Sequence, residues 1–232
     1  MNPRRELQVF YGGTFDPVHN GHVAIACAAR DACATGVRML PAADPPHRPP
    51  PGASAPDRAA MIALAIAGVP GLLLDLRELE RAGPSWTFDT LTALRAAMGT
   101  DVPIAWLVGA DSLVGLPTWK AWRGLFALAH FIVADRSGSL LDSGLAPALE
   151  EALDGRWTDD ADNLRGSPAG LVLRLHQPLQ AHSATDLRQR IADDLPWQDL
   201  VAPAVGDYIR DHRLYGAGTT AAVIGPPPGA SL

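Results

Sequence analysis

Gly12-Gly13-Thr14-Phe15-Asp16-Pro17-Val18-His19-Asn20-Gly21-His22 is the stretch on which the reading of this chain turns. An apolar run over residues 7–11 leads into it, and an apolar-rich stretch at helical spacing, residues 23–34, follows. Strand, glycine turn and helix start, in that order, predict the local architecture that binds phosphate in α/β folds. Glycine there lets backbone amides approach an anion with no Cβ in the way. The first helical turn adds unpaired N–H donors and a partial positive charge. His19 and His22, at i and i+3, share one face of that turn. Imidazoles so placed can donate to phosphate oxygens and hold charge that develops in a transition state. Either histidine alone reads equally well as a solvated surface residue or a local cap. The run as a whole is neither the dinucleotide fingerprint G-x-G-x-x-G nor a P-loop ending in G-K-[ST].

Downstream, strand-like and helix-like segments alternate, which predicts a parallel sheet with helices on both faces. Residues 37–41 read as a strand, 42–56 as a Pro-rich loop, and a helix capped by Asp57 runs to about Gly68. Residues 72–76 are strand-like and 87–98 helical, with Leu91, Leu94 and Met98 on one stripe. Buried strands are expected at 103–109 and 130–134, and another strand at 171–175. Residues 137–169 look like a variable excursion. Two helices follow, around 184–192 and 203–212, forming a small C-terminal helical part. The expectation is an α/β, doubly wound parallel sheet in one domain, residues 1–215, with a disordered Gly/Pro-rich tail at 216–232.

Bulk composition narrows the function. The chain has 232 residues, 47% of them hydrophobic, enough for one sizeable core. A net charge of −6 argues against a broad grip on nucleic acid, which needs a basic surface. Cys27 and Cys33 are six apart on the first predicted helix, a spacing that suits neither a disulfide nor a metal motif. They read as small apolar fillers in a reducing compartment. No apolar run reaches the roughly 20 residues of a membrane span, and the first residues lack the apolar core of a signal peptide. A soluble, cytoplasmic protein is expected, with no nucleic-acid or membrane partner; oligomeric state is not legible.

A second run, His182-Ser183-Ala184-Thr185-Asp186-Leu187-Arg188, opens a helix. Ser183 with Asp186 three residues on resembles a capping box. Thr185 and Arg188 share a face at that N-terminus, where a hydroxyl and a guanidinium suit a polyphosphate. Between the two runs lie Pro45-Pro46-His47-Arg48 in a loop and Pro84-Ser85-Trp86-Thr87-Phe88-Asp89-Thr90-Leu91 entering a helix. Gly109-Ala110-Asp111-Ser112 follows the strongest strand, and Pro117-Thr118-Trp119 comes soon after. Asp111 thus falls at a strand's C-terminal edge, where open α/β sheets bind ligands. Each of these segments has a bland reading as well: a solvated turn, a cap, a core tryptophan.

Taken together and in order, these elements resemble the nucleotidyltransferase superfamily with its H-x-G-H run. Within it they resemble the bacterial nicotinate mononucleotide adenylyltransferases over about residues 7–215. The resemblance implies a Rossmann-like fold and transfer of AMP from ATP to nicotinate mononucleotide, giving the dinucleotide and pyrophosphate. It implies that His19, His22 and Arg188 are catalytic. Gly12, Gly13, Thr14, Phe15, Asp111, Ser183 and Thr185 would join them in binding ATP. Asp16, His47, Arg48, Trp86, Thr87, Phe88 and Trp119 would bind the mononucleotide. Mg²⁺ is expected to be held mainly through the ATP phosphates, with no protein cage for a metal. His182 stands where the family commonly has Ile. Phosphopantetheine adenylyltransferase shares the two phosphate-binding runs, and a non-catalytic nucleotide-binding regulator could share the scaffold. A tRNA-charging relative is disfavoured by length and charge.

Overall fold

A computed structural model describes residues 6–43, 50–81, 83–135, 141, 144–176 and 183–218. Its frame is a sheet of seven parallel strands: β1 (Gln8–Gly13), β2 (Val37–Pro41), β3 (Leu72–Leu74), β4 (Ile104–Gly109), β5 (His130–Asp135), β6 (Trp157–Thr158) and β7 (Val172–His176). Their spatial order is β3-β2-β1-β4-β5-β7-β6. The chain builds outward from β1 on one side, then returns to start β4 on the other. The crevice between the C-terminal ends of β1 and β4 is therefore the topological switch point, where such sheets take their ligands.

Period-2 alternation sends each strand's side chains to two separate cores. Val9, Tyr11, Ala105, Leu107, Ile132 and Leu173 face one; Phe10, Trp106, Val108, Phe131, Val133 and Val172 face the other. Helices α1 (Asn20–Cys33), α2 (Ala55–Ile66), α7 (Ala184–Ala192) and α8 (Pro203–Asp211) cover the first face. The second is covered by α3 (Thr87–Met98), α4 (Ala110–Val114), α5 (Leu125–Leu128) and α6 (Pro147–Leu153). The doubly wound expectation holds.

Several boundaries differ from the sequence reading for definable reasons. Gly12 and Gly13 end strand β1 and do not form a turn. Gly12 is needed for space: a Cβ there would lie 2.1 Å from the Trp106 ring. The cap of α2 is Ser54, not Asp57; the Ser54 hydroxyl accepts from the Asp57 N–H at 3.2 Å. The stretch read as an irregular excursion carries α6 and the edge strand β6, which pairs with β7. Residues 214–216 form a tight turn with Tyr215 at a left-handed φ of 58°, and Ala217 behind it is 5% exposed. The rest of the expected tail, 219–232, lies outside the described residues, as do His47, Arg48 and His182.

His130, fully buried at the start of β5, staples this frame. Its Nδ1 accepts from the Leu171 N–H at 3.0 Å, so Nε2 carries the proton and donates to the Ser167 carbonyl at 2.9 Å. Burial, helped by the Arg95 charge, lowers its pKa; the bond to Ser167 opposes this more weakly. The folded state thus binds a proton less readily than the unfolded chain, and stability must fall as pH drops below about 6.5, the ordinary imidazole value. Melting temperature measured at pH 8, 6.5 and 5 should decline on the acid side, less steeply for His130→Gln. Parallel curves for the two proteins would reject this assignment.

Candidate active site

The segment joining β1 to α1 places both histidines. His19 is the N-cap of α1 in extended conformation, and its Nδ1 accepts from the Gly21 N–H at 3.1 Å. His22 returns the favour: its Nδ1 accepts from the His19 N–H at 3.2 Å. Together they make a capping box built from imidazoles, where hydroxyl and carboxamide groups are usual. The geometry has a chemical consequence. With both Nδ1 atoms accepting from backbone, the neutral rings carry their proton on Nε2. Each therefore presents an N–H donor on the edge away from its cap. The ring centroids are 3.8 Å apart, so the two donors are held as a pair. Phe15 and Tyr11 brace His22, with ring centroids 5.1 and 6.2 Å away.

The second run arrives from the far end of the chain. Ser183 caps α7, its Oγ accepting from the Asp186 N–H at 3.1 Å, as the capping reading expected. As an acceptor in that bond, the hydroxyl still has a proton to donate. Arg188, one turn into α7, donates to the Asp16 carbonyl at 2.6 Å and to Thr185 Oγ1 at 3.3 Å. The guanidinium is thereby tied to the histidine-bearing loop 172 residues away in sequence. Asp111 is exposed in the first turn of α4, directly after β4, across the switch point. Its charge opposes ionisation of Tyr11, whose pKa is raised chiefly by burial.

Asp16 does not point outward. Asp16, for which the resemblance implied a mononucleotide contact, is 5% exposed, and its carboxylate is bonded within the protein. Oδ2 accepts from the Gly52 N–H at 2.7 Å; Oδ1 accepts from Ala53 N–H at 3.1 Å and from the Tyr215 hydroxyl at 2.7 Å. Arg188 lies 3.6 Å from Oδ2. Asp16 thus joins the β1–α1 loop, the entry to α2, α7 and the C-terminal turn.

Residues expected near the pyridine ring also meet. Trp86 precedes α3, and the Lys120 ammonium lies 6.0 Å from its ring centroid. Lys120 pairs with Asp89 at 2.8 Å, which brings the Trp119 segment against the start of α3. Phe88 and Trp119 are half-buried against the second core. Behind them, Ser85 accepts from the Ala43 N–H at 2.9 Å, and buried Thr90 donates to Glu78 at 2.6 Å. Burial raises the pKa of Glu78, opposed by its bonds to Thr90 and Ser85.

A model of the cytidylyltransferase-like family matches residues 10–190. The chain is 56% identical over 218 residues to the "Probable nicotinate-nucleotide adenylyltransferase" of Stenotrophomonas maltophilia (strain K279a), covering 92% of this chain and 98% of that one. It belongs to this family. A protein of the same name from Xylella fastidiosa (strain 9a5c) is 46% identical over 214 residues, 90% of this chain and 96% of that one. Among solved structures, Plasmodium falciparum nicotinic acid mononucleotide adenylyltransferase complexed with NaAD shares the fold. Its TM-score is 0.69 at 14% identity, over 93% of this chain and 100% of that chain.

Three residues of this family member that organise the site escaped the sequence reading: Arg58, Tyr215 and Glu78. Arg58 had a signal. It lies on the same helical stripe as Met61, Ile62 and Ala65, all buried, and a cation on an apolar stripe calls for an explanation. Tyr215 was the last residue of the expected domain, next to the expected tail, and carried no assigned role. Its ring packs on Gly52, where a Cβ would come within 3.0 Å of it. Burial and the Asp16 charge keep its hydroxyl protonated, hence a donor.

Tyr215→Phe should lower stability by roughly 1.5–3 kcal/mol, the range for a hydrogen bond to a charged group, read by denaturant unfolding. A chain ending at Gly218 should stay active, whereas one ending at Arg213 should lose both activity and stability. Full activity in the shorter chain would refute the Tyr215–Asp16 tie.

Proposed function

We propose that this protein transfers AMP from ATP to nicotinate mononucleotide, producing nicotinate adenine dinucleotide and pyrophosphate in NAD biosynthesis. The observation that carries the reading is the paired Nε2–H donors of His19 and His22 at the N-terminus of α1, with Arg188 anchored beside them. That array suits the polyphosphate of ATP at the switch point. The relatives carry the nicotinate name and not the phosphopantetheine one. This selects among the alternatives left open by the two shared runs.

The reaction needs little covalent help. The mononucleotide phosphate is already an anion, so no general base has to make a nucleophile. One of its oxygens attacks the α-phosphorus in line; the bond to the oxygen bridging α and β breaks, and pyrophosphate leaves with the electron pair. Positioning and electrostatic stabilisation lower the barrier. His19 and His22 hold oxygens of the α- and β-phosphates, and Thr185, Ser183 and Arg188 hold the departing pyrophosphate. Gly12, Gly13, Thr14 and Phe15 line the ATP side, with Asp111 near the ribose or adenine. Trp86, Thr87, Phe88 and Trp119 surround the pyridine. His47 and Arg48 take the mononucleotide phosphate.

Among the described residues, no three His, Cys, Asp or Glu side chains converge to hold a metal ion. Mg²⁺ would accompany the triphosphate, held mainly by phosphate and water oxygens, and would supply charge neutralisation. No described helix is long and apolar enough to cross a membrane. We place the enzyme in the cytoplasm with small-molecule partners only.

Pyrophosphate release with ATP and Mg²⁺ should be strong with nicotinate mononucleotide and weak with nicotinamide mononucleotide or phosphopantetheine. A preference for phosphopantetheine would overturn the reading. His22→Ala should lower kcat by about 10²–10³, as for loss of an electrostatic stabiliser; near-normal turnover would remove it from that role. Trp119→Ala should raise KM for the mononucleotide more than for ATP, and equal effects would take Trp119 out of the pyridine pocket.

A further inference from the structure

Arg58 is fully buried, yet all three of its hydrogen bonds go to backbone carbonyls. Nε donates to Ala53 at 3.3 Å, one terminal nitrogen to Thr14 at 2.6 Å, and the other to Ala43 at 3.0 Å. A planar fork with several fixed donors can hold three carbonyls at once; an ammonium cannot hold the same three in that geometry. Its partners belong to the phosphate loop, the segment leaving β2 and the entry to α2. Asp16 supplies the nearby counter-charge.

The Thr14 contact has a directional consequence. The Thr14–Phe15 peptide is trans, so its C=O and N–H point in opposite directions. With the carbonyl drawn inward to Arg58, the Phe15 N–H is turned away from α2. Among the described residues nothing accepts from that N–H. Phe15 itself is 2% exposed and adopts a left-handed φ of 51°, a conformation disfavoured for a residue with a Cβ. Buried backbone donors are nearly always paired. A donor left over on a strained residue, beside two phosphate-facing histidines, is placed for an acceptor that the protein does not supply.

We propose that Arg58 is a positioning residue of the nucleotide site: by gripping the Thr14 carbonyl it presents the Phe15 N–H to a phosphate oxygen of ATP. This rests on the reading of the crevice as an ATP site. Arg58 does not touch the ligand. It stops the peptide from flipping and holds the left-handed turn that Phe15 would otherwise leave. The charge on Arg58 is not sufficient for this role; the fork is.

The test has two arms. In the first, Arg58→Lys keeps the charge and loses the fork. Its affinity for Mg-ATP, titrated calorimetrically without a second substrate, should weaken about tenfold or more, and its kcat should fall by about 10–10² as a preorganised donor is lost. KM for nicotinate mononucleotide should stay within about twofold of the wild type. A variant that only melts earlier, with ATP affinity and kcat retained, would make Arg58 merely structural and overturn the proposal. The second arm uses wild-type protein and does not depend on the variant folding. The Phe15 amide resonance of ¹⁵N-labelled protein should move downfield on addition of Mg-ATP. Pyrophosphate release without any Phe15 response would defeat the proposal while leaving the reaction intact. A Phe15 response without pyrophosphate release would sustain the proposal and defeat the reaction.

Discussion

One buried carboxylate ties this molecule together. Asp16 accepts from the Gly52 and Ala53 amides and from the Tyr215 hydroxyl, and Arg188 is linked to it through both side chain and backbone. An ionised carboxylate is tolerated in a protein interior only when donors and opposite charge surround it, and here those donors come from three separate parts of the fold. The β1–α1 loop, the start of α2, the start of α7 and the C-terminal turn cannot move independently while those bonds hold. The histidines and the arginine that face the crevice inherit their positions from it.

A division of labour follows. His19 and His22 each use Nδ1 to finish the helix, which leaves the proton on Nε2. Ser183 does the same with its oxygen and its proton. Arg188 spends donors on Asp16 and Thr185 and is held half-buried at the mouth of the site. Each of these side chains has its rotamer set by a backbone partner before any ligand arrives. That is the condition under which electrostatic stabilisation needs no reorganisation at the moment of reaction.

The parts of this arrangement that were legible in the sequence are those written in local periodicity. Helix α3 begins and ends where the apolar spacing places it, α7 begins at its Ser183 cap, and β2 matches its apolar run. The strands' two-sided burial follows from alternation and from apolar runs that only a covered parallel sheet can hide. The two runs at the starts of α1 and α7 were recognisable as helix entries from their capping residues, His19 and Ser183. What sequence could not convey was direction. Asp16 reads identically whether its carboxylate faces a ligand or the interior; only the convergence of Gly52, Ala53, Tyr215 and Arg188 decides it. Gly12 was assigned to anion approach, but the face of Trp106, nearly a hundred positions on, fills the space its side chain would need. Strand β6 is two residues long, too short for any periodicity, and exists because β7 offers it an edge.

The tie between Asp16 and Tyr215 spans 199 residues of chain, and synthesis runs in one direction. A nascent polypeptide that has released β1 through α3 already holds the glycine run, both histidines and the Gly52–Ala53 amides. It lacks Arg188 and the phenol that close the circle around Asp16. The circle around Asp16 can therefore close only after Tyr215 has left the ribosome. An incomplete translation product of this gene would carry the phosphate loop without the means to hold it shut.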